Sequence, residues 1–324
     1  TSNPTLEVKR VQRGTARREA PERSRGSASV EGTAHPSRPP RAAARPRVMQ
    51  DVTVPRPSAH ALVDELAAWF DRNARDLPWR RPECSPWGVL VSEVMLQQTP
   101  VVRVEPVWRE WLERWPTPVA FAAASPDEVL RAWGRLGYPR RALRLHECAR
   151  AIVERHGGEV PEDEEQLLEL PGIGEYTAAA VLAFAFGRRS VVVDTNVRRV
   201  LARTLAGRAL PPPHPTAQER RLARSVVPEP DAEAARWAAA SMELGAVVCT
   251  ARSPRCTDCP VADLCAWRAA GYPPDEDAPR RRTQAWHGTD RQVRGRIMAL
   301  LRDAVGSVPL EVVEQIEAPR DQLA

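Results

Sequence analysis

Four cysteines constrain this chain more than any other feature: Cys249, Cys256, Cys259 and Cys265, spaced C-x6-C-x2-C-x5-C. Four thiolates within 17 residues can close round one metal centre, either zinc or an iron-sulfur cluster. Zinc sites usually pair two short C-x2-C knuckles. The long first gap and the five-residue last gap favour a 4Fe-4S cluster. A structural reading stands beside this one: the centre staples its loop and holds Arg252, Arg255 and Arg268 toward a phosphate. Cys84 and Cys148 stand alone and read as free, buried thiols. Six cysteines in 324 residues are too few for a disulfide scaffold, and their crowding points to a metal site in a reducing compartment.

Ahead of the cysteines, apolar residues recur at helical spacing: Leu62, Leu66, Trp69 and Phe70; Val89, Leu90, Val94 and Met95; Leu143, Leu145, Ile152 and Val153. Strand-like alternation is nearly absent, and the one β-branched run, Val191 to Val193, leads straight into another helical stretch. The fold class is therefore all-α. No run of about 18 apolar residues appears, and the arginine-rich start lacks the apolar centre of a secretory signal. These features predict a soluble, intracellular protein that does not enter a membrane.

The formal charge of +5 is unevenly placed, because residues 1–57 hold 12 Lys and Arg against 5 Asp and Glu, a net of +7. The remaining 267 residues sum to about −2, so any DNA-binding surface on the folded part must be a local patch. Rich in Arg, Ser, Pro and Ala, residues 1–57 cannot bury enough apolar surface to offset chain entropy, and they read as a disordered basic tail. Met49 stands just before the folded part, and a natural start there is one expectation. After Cys265 the chain turns polar and proline-rich, which marks a linker over 271–290. Residues 291–324 then offer helical patterns at about 291–303 and 309–317. They read as an incomplete C-terminal helical segment, so truncation at Ala324 is expected.

Within LELPGIGEYTAAAV, residues 168–181, a helical pattern ends at Leu170 and a small-residue helix opens at Glu175. The intervening turn, Pro171-Gly172-Ile173-Gly174, calls for two glycines. This is the pattern of a helix-hairpin-helix, whose turn offers backbone N–H groups to a phosphate without reading sequence. Gly172, Ile173 and Gly174 are thus candidate DNA contacts.

Two carboxylates sit in contrasting settings. Glu93 lies in WGVLVSEVMLQQT, where desolvation would raise its pKa and keep a proton available. Asp194 follows an apolar run and precedes TNVRRVLAR, at the expected N-cap of a helix, where N–H groups and the dipole favour the anion. One acid and one anion suit N-glycosidic cleavage: the first protonates the leaving base and the second stabilises the positive sugar.

Together these blocks resemble the helix-hairpin-helix glycosylase superfamily, and within it the adenine DNA glycosylase (MutY) family. The likeness runs from about Asp64 to Cys265 and includes RDLPWR at 75–80, WGVLVSEVMLQQTPV at 87–101, VVDTNVRRVLAR at 192–203 and SMELGAVVCT from Ser241. It implies a monofunctional enzyme that flips out adenine opposite 8-oxoguanine or guanine and hydrolyses its glycosidic bond. By position Glu93 matches the family's acid, and Asp194 matches the aspartate that stabilises the oxocarbenium ion. Tyr176 stands where related lyases place a lysine nucleophile, so no Schiff base can form. Gln98 and Tyr138 match residues inserted into the duplex near the lesion, and Gln97 and Thr99, which flank the first of them, are expected to contact the DNA as well.

The resemblance also implies an architecture: a six-helix barrel over 85–187 and an iron-sulfur cluster domain from 58–84 and 188–270, with the substrate cleft between them. It implies a monomer that binds mismatched duplex DNA in the bacterial cytoplasm, at the nucleoid. Two departures stand out. Ala238 and Ala239 replace side chains with which many members hold the adenine, and the last 60 or so residues do not look like the Nudix-like domain that helps read 8-oxoguanine. Two other readings compete. One is an endonuclease III-like lyase or thymine-mismatch glycosylase; the other is a DNA-binding module with a structural metal and no chemistry.

Overall fold

Short polar residues start half of the helices, and the apolar spacing between them sets which face is buried. The computed structural model describes residues 59–280, 289–304 and 306–316; the tail expected over 1–57 lies outside them. These residues form fourteen α-helices and no strand. In chain order they are α1 (Ala59–Asn73), α2 (Pro86–Leu96), α3 (Val101–Arg114), α4 (Pro118–Ala122), α5 (Pro126–Trp133), α6 (Arg140–His156) and α7 (Glu164–Leu168). There follow α8 (Glu175–Phe186), α9 (Thr195–Thr204), α10 (Ala217–Ser225), α11 (Asp231–Val247), α12 (Ala266–Ala269), α13 (Asp290–Asp303) and α14 (Leu310–Glu314). No helix among the described residues is long and apolar enough to cross a membrane.

The caps explain the boundaries. The Ser85 hydroxyl accepts from Gly88 N–H at 3.1 Å, and Pro86 opens α2 where no N–H is needed. Ser125 with Glu128, and Thr216 with Glu219, form reciprocal capping boxes at α5 and α10. Left-handed glycines, Gly157 and Gly187, close α6 and α8. The expected end of the helix at Leu170 comes earlier, since α7 stops at Leu168 and Leu170 begins a turn.

Two large apolar clusters form. One gathers Leu77, Trp79 and side chains of α2 to α8; its centre is aromatic, with Phe121 packed against Trp87, Trp111, Trp115 and the His146 ring. The other joins Leu62, Leu66 and Trp69 of α1 to Val197, Val200 and Leu201 of α9 and to Trp237, Ala240 and Leu244 of α11. Between them lies a cluster of small residues, Ala179, Ala180, Ala183, Val192 and Ala238, which brings α8 close to α11. The approach of α9 to α11 is closer still: a Cβ on Gly245 would stand 2.6 Å from Asn196 Cβ and 2.9 Å from its carbonyl oxygen. The Val191–Val193 run forms no strand; it is a non-helical lead into α9.

Candidate active site

A cleft of about 1100 Å³ opens beside this junction. Glu93 of α2 and Tyr176 of α8 line one part, and Asp194, Asn196, Ala239, Met242 and Glu243 line another. Glu93 is buried, and the Tyr176 hydroxyl donates to its Oε2 at 2.7 Å. Burial pushes the Glu93 carboxyl up to about 7; nearby Asp194 adds to the rise, while the Tyr176 bond and the charge of Arg80 oppose it. Burial also raises the Tyr176 phenol well above its usual range, which keeps it a hydrogen donor.

Asp194 caps α9 as the sequence requires: Oδ1 accepts from Val197 N–H at 2.7 Å and Oδ2 from Asn196 Nδ2 at 2.7 Å. The cap favours the anion as expected, since its bonds lower the Asp194 pKa, but burial acts against them. Burial raises the Asp194 carboxyl above its ordinary value, against the opposing pull of the Val197 and Asn196 bonds and the Arg199 charge. The contrast between the two carboxyls survives, because Glu93 accepts no backbone N–H and Asp194 is bonded on both oxygens. Arg199 carries the network further. Its Nη2 donates to Asn196 Oδ1 at 2.8 Å and to Gly245 O at 2.7 Å, and its Nε donates to Cys249 O at 2.7 Å.

Sequence reasoning missed a third carboxylate. Glu243 is fully buried yet faces the cleft, where Arg75 grips it through Nε (2.7 Å) and Nη2 (2.8 Å) and Arg80 through Nη2 (2.8 Å). Burial alone would raise its pKa, but the two guanidiniums more than offset this and hold it at about 2. Ala239 lines the cleft with no polar group to offer, and Glu243 lines it one helical turn later. A glutamate inside the apolar SMELGAV, with arginines at both ends of RDLPWR, was the available signal.

The DNA contacts expected around Gln98 and Tyr138 lie on two adjoining turns. Gln98 and Tyr138 are exposed and adopt left-handed φ values of +56° and +48°, rare for residues with side chains. Arg141 clamps both turns, a role the sequence did not reveal. Its Nη1 donates to Gln97 O at 2.6 Å, and its Nη2 to Thr99 Oγ1 at 2.9 Å and Gly137 O at 3.1 Å. Thr99 is buried and Gln97 half-buried, so these two fix the turn from beneath.

In the hairpin, Gly172 has φ +81°, and a Cβ there would strike Arg144 Cβ at 2.9 Å. Gly174, with φ −108°, needs no glycine for its backbone. The backbone conformation thus calls for glycine at 172 and not at 174. Ile173 does not offer its amide: the side chain is buried, and its N–H donates to Leu170 O at 3.1 Å. No side chain caps the start of α8, so its first amides are left for another acceptor. Arg140 and Arg144 line the adjoining depression.

Cys249, Cys256, Cys259 and Cys265 line a single small cavity with Arg203 and Trp267. The other three thiols lie near enough to Cys259 to act on its charge. Arg203 Nη1 donates to Cys249 Sγ at 3.3 Å, and its guanidinium stacks on Trp267 at 4.6 Å. No three His, Cys, Asp or Glu among the described residues converge as a closed single-ion site; the fit to an iron-sulfur group rests on four thiols round one cavity with a buried cation beside them. Of the three arginines expected there, Arg255 donates to Val247 O at the end of α11 and Arg268 to Asp263, so both are engaged within the protein. Cys148 is a free buried thiol, but Cys84 is only half-buried.

Residues 91–225 match the model described as HhH-GPD superfamily base excision DNA repair protein, and 249–265 match the iron-sulfur binding domain of endonuclease III. Helices, hairpin and thiols thus define a base-excision DNA repair protein with an iron-sulfur cofactor. Over 265 residues the chain is 54% identical to an adenine DNA glycosylase of Mycobacterium tuberculosis, covering 80% of this chain and 84% of that one. It therefore belongs to the adenine DNA glycosylase family. The human relative of the same name is 44% identical over 212 residues, which is 38% of its length. Among solved structures, a thermostable thymine-DNA glycosylase superposes with a TM-score of 0.59 at 27% identity, over 65% of this chain and 97% of that one. An endonuclease III–DNA complex superposes with a TM-score of 0.56 at 25% identity, over 65% and 95%.

Proposed function

We propose that this chain hydrolyses the N-glycosidic bond of adenine mispaired with 8-oxoguanine or guanine in duplex DNA, without cutting the strand. The observation that carries the reading is the buried Glu93, held by Tyr176 at 2.7 Å and pushed to about 7, in the same cleft as Asp194. Near neutral pH a large fraction of Glu93 holds its proton and can give it to a ring nitrogen of the flipped adenine. As the bond from sugar C1′ to the base breaks, both its electrons leave with adenine and the sugar becomes an oxocarbenium ion. Asp194, fixed by Val197 and Asn196, faces that positive charge. Water then adds hydroxide to C1′, and its remaining proton returns to a carboxylate. Among the side chains placed here none is a lysine, and Tyr176, kept protonated by burial, is a poor nucleophile; the product is an intact abasic strand.

Gln98 and Tyr138 enter the duplex on this reading, while Gln97 and Thr99 support them. The hairpin around Gly172, Ile173 and Gly174 meets the phosphates through the free amides of α8. Cys249, Cys256, Cys259 and Cys265 hold a 4Fe-4S cluster, which when bound would fix the 249–265 loop; a brown protein with a broad visible absorption, colourless with zinc, tests that assignment. The proposal takes 85–187 as the six-helix barrel, 58–84 with 188–270 as the cluster domain, and a monomer acting at the cytoplasmic nucleoid as the working form.

The test is single-turnover release of adenine from duplexes carrying A opposite 8-oxoguanine, G or T. Release from the first two, with strands that break only after alkali, is the expected outcome. Strand scission without alkali, or release of thymine instead, would overturn it.

A further inference from the structure

The turn that carries Tyr138 is shared by a segment outside both matched family models: α13. Arg291, in its first turn, donates from Nη2 to the Tyr138 hydroxyl at 2.6 Å and sets its guanidinium 4.9 Å from the ring centre. A second guanidinium, that of Arg141, lies 5.6 Å from the same ring. The helix is fixed at both ends. Near its start Val293 is buried, and just past its end Arg131 of α5 donates to Ala304 O at 3.0 Å. Despite these contacts Tyr138 remains 44% exposed, so the helix supports the ring without covering it.

We propose that Arg291 is a positioning residue for Tyr138, which makes α13 part of the face that distinguishes a mismatch from a paired duplex. The inference rests on reading Tyr138 as a residue that enters the duplex. A side chain on a left-handed backbone is held by its surroundings more than by its own preference. Arg141 fixes the backbone of the turn; among the described residues Arg291 alone bonds to the tip of the side chain. A ring clamped at its hydroxyl reaches the duplex already oriented, and less side-chain freedom is lost on entry. The bond also orients the cation, so a lysine can keep the charge but not the planar stack.

The experiment uses the full chain and a duplex whose mispaired adenosine carries a 2′-fluorine, which blocks cleavage. Binding to it and to a matched duplex is compared for Arg291→Ala, Arg291→Lys, Tyr138→Phe, Tyr138→Ala and the Arg291→Ala/Tyr138→Phe pair, with melting curves as a check of folding. Arg291→Ala is expected to weaken mismatch binding by about three- to tenfold and leave matched binding unchanged. Arg291→Lys recovers part of the loss. Adding Tyr138→Phe costs nothing further, because the two share one interaction. Equal weakening on both duplexes would reduce Arg291 to a phosphate contact, and tighter binding would make α13 a lid; either sinks the proposal. If Tyr138→Ala leaves discrimination intact, the reading of Tyr138 itself fails. If it abolishes discrimination while Arg291→Ala is silent, only the role of Arg291 is lost.

Discussion

Glu93 and Glu243 are both buried, both sit on helices, and both face the same cleft, yet one is held near 7 and the other near 2. Burial raises both, so burial cannot explain the difference. Among the described residues Glu93 has a single neutral hydrogen donor, whereas Glu243 meets two guanidiniums through three short bonds. The number and charge of the donors decide which carboxyl keeps a proton. One cleft can therefore hold a proton donor and a permanent anion side by side.

The largest effect should come from Glu93→Gln, which keeps the shape and removes the acid. Adenine release is expected to fall by about 10²- to 10⁴-fold, with mismatch binding retained. A chain that still released adenine within tenfold of the parent would place the acid elsewhere. The opposite pole is Glu243→Ala, which strands Arg75 and Arg80. Breaking a buried pair costs about 3–5 kcal/mol; with Arg75 38% exposed and able to rehydrate, the lower end, about 3 kcal/mol, is expected in denaturant titrations. Because its folded pKa is depressed, Glu243 stabilises the fold above the ordinary carboxylate range. That share is lost as pH falls from about 4.5 toward about 2, and the variant should show a flatter acid limb.

Glu93 works in the other direction. Its folded pKa is raised, so its stabilising share is full below about 4.5 and is lost as pH rises to about 7. Turnover that needs the protonated form declines above that value. Tyr176→Phe removes a bond that pulls the Glu93 pKa down, so the decline should move to higher pH. The ratio of rates at about pH 8 and pH 6 should then rise by about threefold. A profile that stays in place would mean that the tyrosine does not tune the acid.

How much of this was legible follows the same contrast. The Asp194 cap, the cysteines and the burial of Glu93 each depend on neighbours within a few residues, so pattern and spacing were enough. Glu243 depends on Arg75, 168 residues away, and no local pattern links them. Arg141 was hidden for a related reason: it bonds mainly to backbone carbonyls, whose positions exist only once both turns have formed. Ile173 misled because the turn spends its amide on Leu170, a detail of geometry rather than of residue type.

Gly245 sets a dimension of the site through an atom that is missing. Glycine is normally a poor choice in the middle of a helix, about 1 kcal/mol worse than alanine. Here an added methyl would overlap Asn196, whose amide holds Asp194 two residues earlier. The width of the catalytic gap is thus gauged from behind, by how tightly two helices can nest. A single carbon on the far side of α9 should shift the carboxylate without touching the cleft, so tolerance at this position is a measure of how finely the spacing of acid and anion is set.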